Sequence, residues 1–189
     1  KTEQGNLHLF EHLRELINCR PAYLTCTYGA GGTTRERTLE VLTAIRSRYP
    51  HIPLASHLTC VGNTTDELRA YIRRALSIGV EHIVALRGDP PKGEISFKQV
   101  PDGLSYASEL VRLIVAEFPQ IGITVAGYPE THPEAPSSAV DLENLKRKVD
   151  AGADIVVTQL FFENMDYFRF RDRCDEIGIR VPIVPGILP

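Results

Sequence analysis

Short apolar, β-branched runs return along this chain about every 30 residues, and the stretches between them carry helical periodicity, the spacing of repeated strand–helix units. The runs predict strands near Ala22–Gly29, Pro53–Cys60, His82–Gly88, Gly122–Tyr128, Ile155–Phe162 and Val181–Ile187. Helices are expected between them. Thr33-x-x-Glu36 and Thr64-x-x-Glu67 read as capping boxes, and Leu39, Leu42, Ile45 and Leu68, Ile72, Leu76 then recur at helical spacing. Further helices are predicted at Ser105–Phe118, Ser137–Ala151 and Met165–Ile177, with Gly79, Gly152 and Gly178 as C-terminal stops. A leading helix, Leu7–Asn18, has no strand before it.

Strict alternation implies a parallel sheet, because parallel strands need crossover connections. Such a sheet closes as an open doubly wound fold or as a (β/α)8 TIM barrel. Polar residues terminate several predicted strands: Leu24-Thr25-Cys26-Thr27-Tyr28-Gly29, Ala55-Ser56-His57-Leu58-Thr59-Cys60, Ala85-Leu86-Arg87-Gly88-Asp89 and Thr124-Val125-Ala126-Gly127-Tyr128-Pro129-Glu130. An open sheet concentrates its functional groups at one switch point, whereas a barrel gathers them from most strand ends, so the pattern favours the barrel. Six strands do not close an eight-stranded barrel. The expectation is therefore a single, incomplete (β/α)8 domain over 1–189, with a strand missing in front and one or more units behind.

A net charge of -3 over 189 residues, with a pI near 6.1, gives no electrostatic footprint for nucleic acid or an anionic membrane. No apolar run reaches the length of a spanning helix, so the expected location is cytoplasmic. Cys19, Cys26, Cys60 and Cys174 lack zinc-ligand or paired spacing and read as free thiols, and no metal site is expected.

Candidate chemistry lies in the strand-end segments. Gly29-Ala30-Gly31-Gly32-Thr33-Thr34 follows a strand and opens a helix, yet matches neither standard phosphate-loop pattern; a turn and a backbone contact to a flat or anionic ligand both remain open. His57 reads as a core histidine or a site residue. Tyr128-Pro129-Glu130-Thr131-His132-Pro133-Glu134-Ala135-Pro136 is a proline-stiffened loop carrying an aromatic ring, two carboxylates and an imidazole. Asp141, Asn144 and Lys148 share one helical face with Arg147 beside them, either a solvated surface or a clamp for a pyrophosphate or ribose. Thr158-Gln159 suits an amide-like heterocycle. The absence of a Ser-His-Asp grouping or an H-E-x-x-H motif favours a cofactor that brings its own reactivity.

These segments, with His82–Asp89, Asn144–Ala153 and Pro185–Pro189, together resemble the methylenetetrahydrofolate reductase family across essentially the whole chain. The resemblance implies a (β/α)8 barrel holding FAD noncovalently. The family reduces the flavin with NADH or NADPH, releases the nicotinamide, and passes the hydride to 5,10-methylenetetrahydrofolate, a step in methionine biosynthesis. Carried over by position, Thr27, Tyr28, Ala30, His57, Arg87, Gly88, Asp89, Tyr106, Ala107, Tyr128, His132, Ala135, Asp141, Asn144, Arg147 and Lys148 would line the FAD site. Asp89 would stabilise a cationic iminium on the substrate, and Asp89 and Gln159 would contact the folate. A homo-oligomer is the implied assembly.

The resemblance also implies a general-acid glutamate upstream of Lys1 and further barrel units beyond Pro189. Nothing in the sequence positions Glu130 or Glu134 to replace that acid. Two competing readings are a noncatalytic flavin- or folate-binding module and a Schiff-base lyase, the latter disfavoured because the predicted strands contain no lysine.

Overall fold

The computed structural model describes residues 3–28, 34–90, 93–94 and 96–188. Six helices and six strands alternate: α1 (Glu3–Asn18), β1 (Leu24–Cys26), α2 (Thr34–Arg48), β2 (Leu54–Thr59), α3 (Thr65–Ser77), β3 (His82–Leu86), α4 (Ala107–Glu117), β4 (Gly122–Gly127), α5 (Ser138–Asp150), β5 (Ile155–Thr158), α6 (Asn164–Glu176) and β6 (Ile183–Val184). Every expected element is present, and the strands are shorter than the apolar runs suggest. Most of the excess residues lie at their C-terminal ends, where the chain leaves the ladder, although β1, β2 and β6 also begin one or two residues late.

All strand pairs are parallel, in the order β1-β2-β3-β4-β5-β6. A doubly wound sheet reverses its order and carries helices on both faces; this sheet does neither. On β2, the hydroxyl of Ser56 lies 2.7 Å from that of Tyr71 on α3, so Leu54, Ser56 and Leu58 face the helices. Register places Ser56 beside Ile83, Ile83 beside Ile123, and Val125 beside Val156, all in the same layer. A Cβ built on Gly127, in that same layer, would meet Phe170 of α6 and Leu145 of α5. Helices α3, α5 and α6 thus cover one face, as in an arc of a (β/α)8 barrel.

The helix-facing layer is the core. Leu54, Leu58, Ile83, Val125 and Val156 are fully buried, whereas Val184, facing the other way, is 37% exposed. Thr25 and His57 share that second face and are also less covered. The inner face of the arc is therefore less covered than the helix-facing layer, whereas sites of such barrels are built by the loops at the C-terminal ends of the strands.

Local chemistry explains the helix ends. Thr64 accepts from the Glu67 amide at 3.2 Å while Glu67 accepts from the Thr64 amide at 2.8 Å, which completes the expected capping box. The counterpart expected at Thr33 lies outside the described residues. Gly79, Gly152 and Gly178 follow their helices with φ of 82°, 115° and 79°, the left-handed geometry of a C-terminal stop. Between β3 and α4, the connection folds back onto the start of α3, where the Thr65 amide and hydroxyl both donate to the Asp102 carbonyl.

Candidate functional site

Beyond the C-terminal ends of β3 and β4 lies a cleft of about 480 Å³, walled by the first turns of α4, the cleft-facing side of α5 and the loop from Tyr128 to Pro136. Arg87 enters it because β3 stops at Leu86. Tyr106 is held at the rim by Glu109, whose carboxylate accepts from the Ser105 and Tyr106 amides at 2.7 and 3.2 Å; the Tyr106 side remains 62% exposed. On the opposite wall, Asp141 in the first turn of α5 accepts from the His132 amide at 2.9 Å. The Glu134 amide donates to His132 Nδ1 at 3.0 Å, which assigns the proton of a neutral ring to Nε2. Tyr128 meets the His132 ring edge-on at 4.6 Å.

The charges of the cleft are mostly committed. Arg87 makes two parallel hydrogen bonds to Glu134, at 2.7 and 2.8 Å, and its guanidinium lies 5.3 Å from the Phe97 ring centre. That pairing holds the Glu134 carboxyl below its ordinary range, the opposite of what a proton donor needs. Arg147 donates to Asn144 at 3.0 Å. Lys148 donates to the Ala126 carbonyl at 2.5 Å, and burial pulls its amine down to about 8 despite the opposing charge of Asp141.

A second pocket of about 350 Å³ adjoins the first and shares Tyr128, His132 and Glu134 with it. Asp89, Glu130 and Gln159 line it, so the two residues expected to contact substrate face one space. The residues expected for the cofactor divide into groups. Arg87, Tyr106, Ala107, Tyr128, His132, Ala135, Asp141, Asn144, Arg147 and Lys148 all line the larger cleft.

Thr27, Tyr28 and His57 lie at or near the C-terminal ends of β1 and β2, outside that lining. Tyr28 donates to Asn63 Oδ1 at 3.5 Å, the Thr27 carbonyl accepts from Thr38, and burial lowers the His57 pKa. Gly88 has a structural reason of its own: at φ 88°, an added Cβ would stand 2.5 Å from Val61 Cγ1. Ala30 lies outside the described residues.

The methylenetetrahydrofolate reductase family model matches residues 1–189. The chain belongs to the methylenetetrahydrofolate reductase family. It is similar to the 5,10-methylenetetrahydrofolate reductase of Escherichia coli, at 46% identity over all of this chain and 61% of that protein. Similarity to the Pectobacterium carotovorum protein of the same name is 44%, over 96% of this chain and 58% of the relative. A maize relative, methylenetetrahydrofolate reductase (NADH) 1, is 41% identical over the whole chain and 33% of its own length. The chain thus spans about three-fifths of the bacterial relatives and a third of the plant one.

The larger cleft suits a phosphorylated aromatic ligand: guanidinium, amine and carboxylate groups line it alongside the exposed Tyr106 ring. Ser108, Glu109 and Arg112 also line it, although motif reading did not single them out. A signal was present in the sequence, since Arg112 interrupts the otherwise apolar run Leu110–Val115 on a helix that must bury one side. Among the described residues, no group of three or more His, Cys, Asp or Glu is placed to hold a metal ion, and no helix is long and apolar enough to cross a membrane.

Proposed function

We propose that this chain forms the cofactor cleft and part of the substrate pocket of a flavin-dependent reductase. The reaction is reduction of 5,10-methylenetetrahydrofolate to 5-methyltetrahydrofolate, with NADH or NADPH as the electron source and FAD in the larger cleft. The observation that carries this reading is the convergence of residues from β3, α4, the 128–136 loop and α5 on one cleft, with Asp89 and Gln159 on the pocket beside it. When bound, FAD supplies reversible two-electron hydride carriage, chemistry absent from the side chains here.

The protein's own groups bind and orient. Lys148 and Arg147 present positive charge from one face of α5, suited to a pyrophosphate, and Asp141 Oδ1 is available to a ribose hydroxyl while Oδ2 holds the His132 amide. Asp89 contributes an anion in the second pocket, where it stabilises positive charge developing on a ring-opened one-carbon folate. Gln159 offers an amide donor and acceptor to the heterocycle.

The test uses the complete protein, desalted after incubation with FAD. A retained flavin spectrum, bleached by NAD(P)H and restored by methylenetetrahydrofolate, supports the reading. Flavin retention without turnover supports the binding-module alternative, and failure to retain flavin removes the basis for both.

A further inference from the structure

The cations of the larger cleft differ in one respect that the expected site did not use. Arg87 is engaged by Glu134, Arg147 by Asn144, and Lys148 by the Ala126 carbonyl. Among the described residues, Arg112 is the remaining cation of the lining, and it makes neither an ion pair nor a hydrogen bond. Its place on α4 makes it available to a ligand. Leu110, Val111 and Ile114 are fully buried and fix the orientation of the helix, while Ser108 and Arg112, four residues apart, both reach the cleft. Side chains on a helix lean toward its N-terminus, so the Arg112 stem runs over Ser108 toward the Tyr106 rim.

From this arrangement we infer that Arg112 is a further ligand-binding residue, donating to a phosphate oxygen of the bound dinucleotide and favouring phosphorylated flavins over riboflavin. The inference rests on the proposed flavin site. An exposed arginine with no internal partner loses no existing bond when it takes up an anion, whereas the two-point edge of Arg87 is already taken by Glu134. A charge-assisted bond at an open rim contributes toward the lower end of its usual range, about a tenfold change in affinity.

The experiment measures FAD, FMN and riboflavin binding to the complete protein and to its Arg112→Ala and Arg112→Lys variants, by quenching of flavin fluorescence at low and at moderate salt. The expected result is FAD binding weakened about tenfold by Arg112→Ala, a smaller salt dependence, partial recovery in Arg112→Lys, and riboflavin binding unchanged. Unchanged FAD affinity in Arg112→Ala overturns the inference. Equal weakening of FAD and riboflavin also overturns it, because the residue would then shape the cleft without touching phosphate. If the unaltered protein binds none of the three flavins, it is the flavin reading itself that fails.

Discussion

Arg87 and Glu134 face each other in a two-point ion pair, at 2.7 and 2.8 Å, that ties the end of β3 to the proline-stiffened loop after β4. Glu134 borders both pockets, so the pair forms part of the partition between them. A carboxylate in that fork occupies the geometry a phosphate or ligand carboxylate would take on the same guanidinium. Glu134→Gln is therefore expected to tighten FAD binding about three- to tenfold, with little change in stability because the Glu134 side chain is half exposed. A fluorescence titration decides this. Weaker binding in the variant would instead show that Glu134 holds Arg87 in its binding posture.

Lys148 gives the cleft a pH response. Its amine is held to about 8 by burial, against 10.5 for an unburied lysine. Between those values the unfolded chain binds more protons than the native one, so this group makes stability rise with pH across that window. The full contribution is on the order of 3 kcal/mol. Ligand binding runs the other way: as pH rises through about 8, the amine loses the charge that attracts a pyrophosphate, and FAD affinity falls. Paired urea titrations and FAD titrations from pH 7 to 10 test both trends, and Lys148→Met should flatten each.

Gly88 separates Arg87 from Asp89 with φ at 88°, and an added Cβ would stand 2.5 Å from Val61 Cγ1 and 3.0 Å from Thr59 Cβ. Backbone strain and overpacking then act together. Gly88→Ala should cost about 2–4 kcal/mol in denaturant unfolding. A loss under about 1 kcal/mol would mean that the Val61 loop yields readily.

Strand–helix alternation and polar strand ends made the barrel legible, because hydrophobic periodicity and βα connections are local in sequence. Tyr106, Tyr128, His132, Asp141 and Lys148 line one cleft because α4, the 128–136 loop and α5 flank neighbouring strands. The Arg87–Glu134 pair was not legible: its members lie 47 residues apart and meet only after β3 and β4 pair in register. Arg112 was half legible: it breaks an apolar run, but a single cation on an amphipathic helix ordinarily faces water, and it is the tertiary placement of α4 that sets it on the cleft. Gly88 reads in sequence as a point of close approach for a ligand or another backbone, and the structure gives it a left-handed φ with Val61 and Thr59 packed close against it.

Asp89 bears most directly on the proposed chemistry. It lies in the second pocket with Gln159, two residues beyond Arg87, and burial first, then its charge, raises the pKa of the Tyr128 hydroxyl. A fixed anion there would stabilise a cationic one-carbon folate and would disfavour additional negative charge on a neighbouring reduced flavin. Replacing it with the isosteric amide separates these electrostatic effects from packing. In the complete protein, Asp89→Asn should retain FAD with affinity within about twofold of the parent, raise the midpoint potential of the bound flavin, and slow reoxidation by methylenetetrahydrofolate about 100-fold. Reduction by NAD(P)H should be affected far less. Stopped-flow measurement of the two half-reactions makes the comparison, and equal slowing of both would show that Asp89 acts through cofactor placement and not through the charge of the folate intermediate.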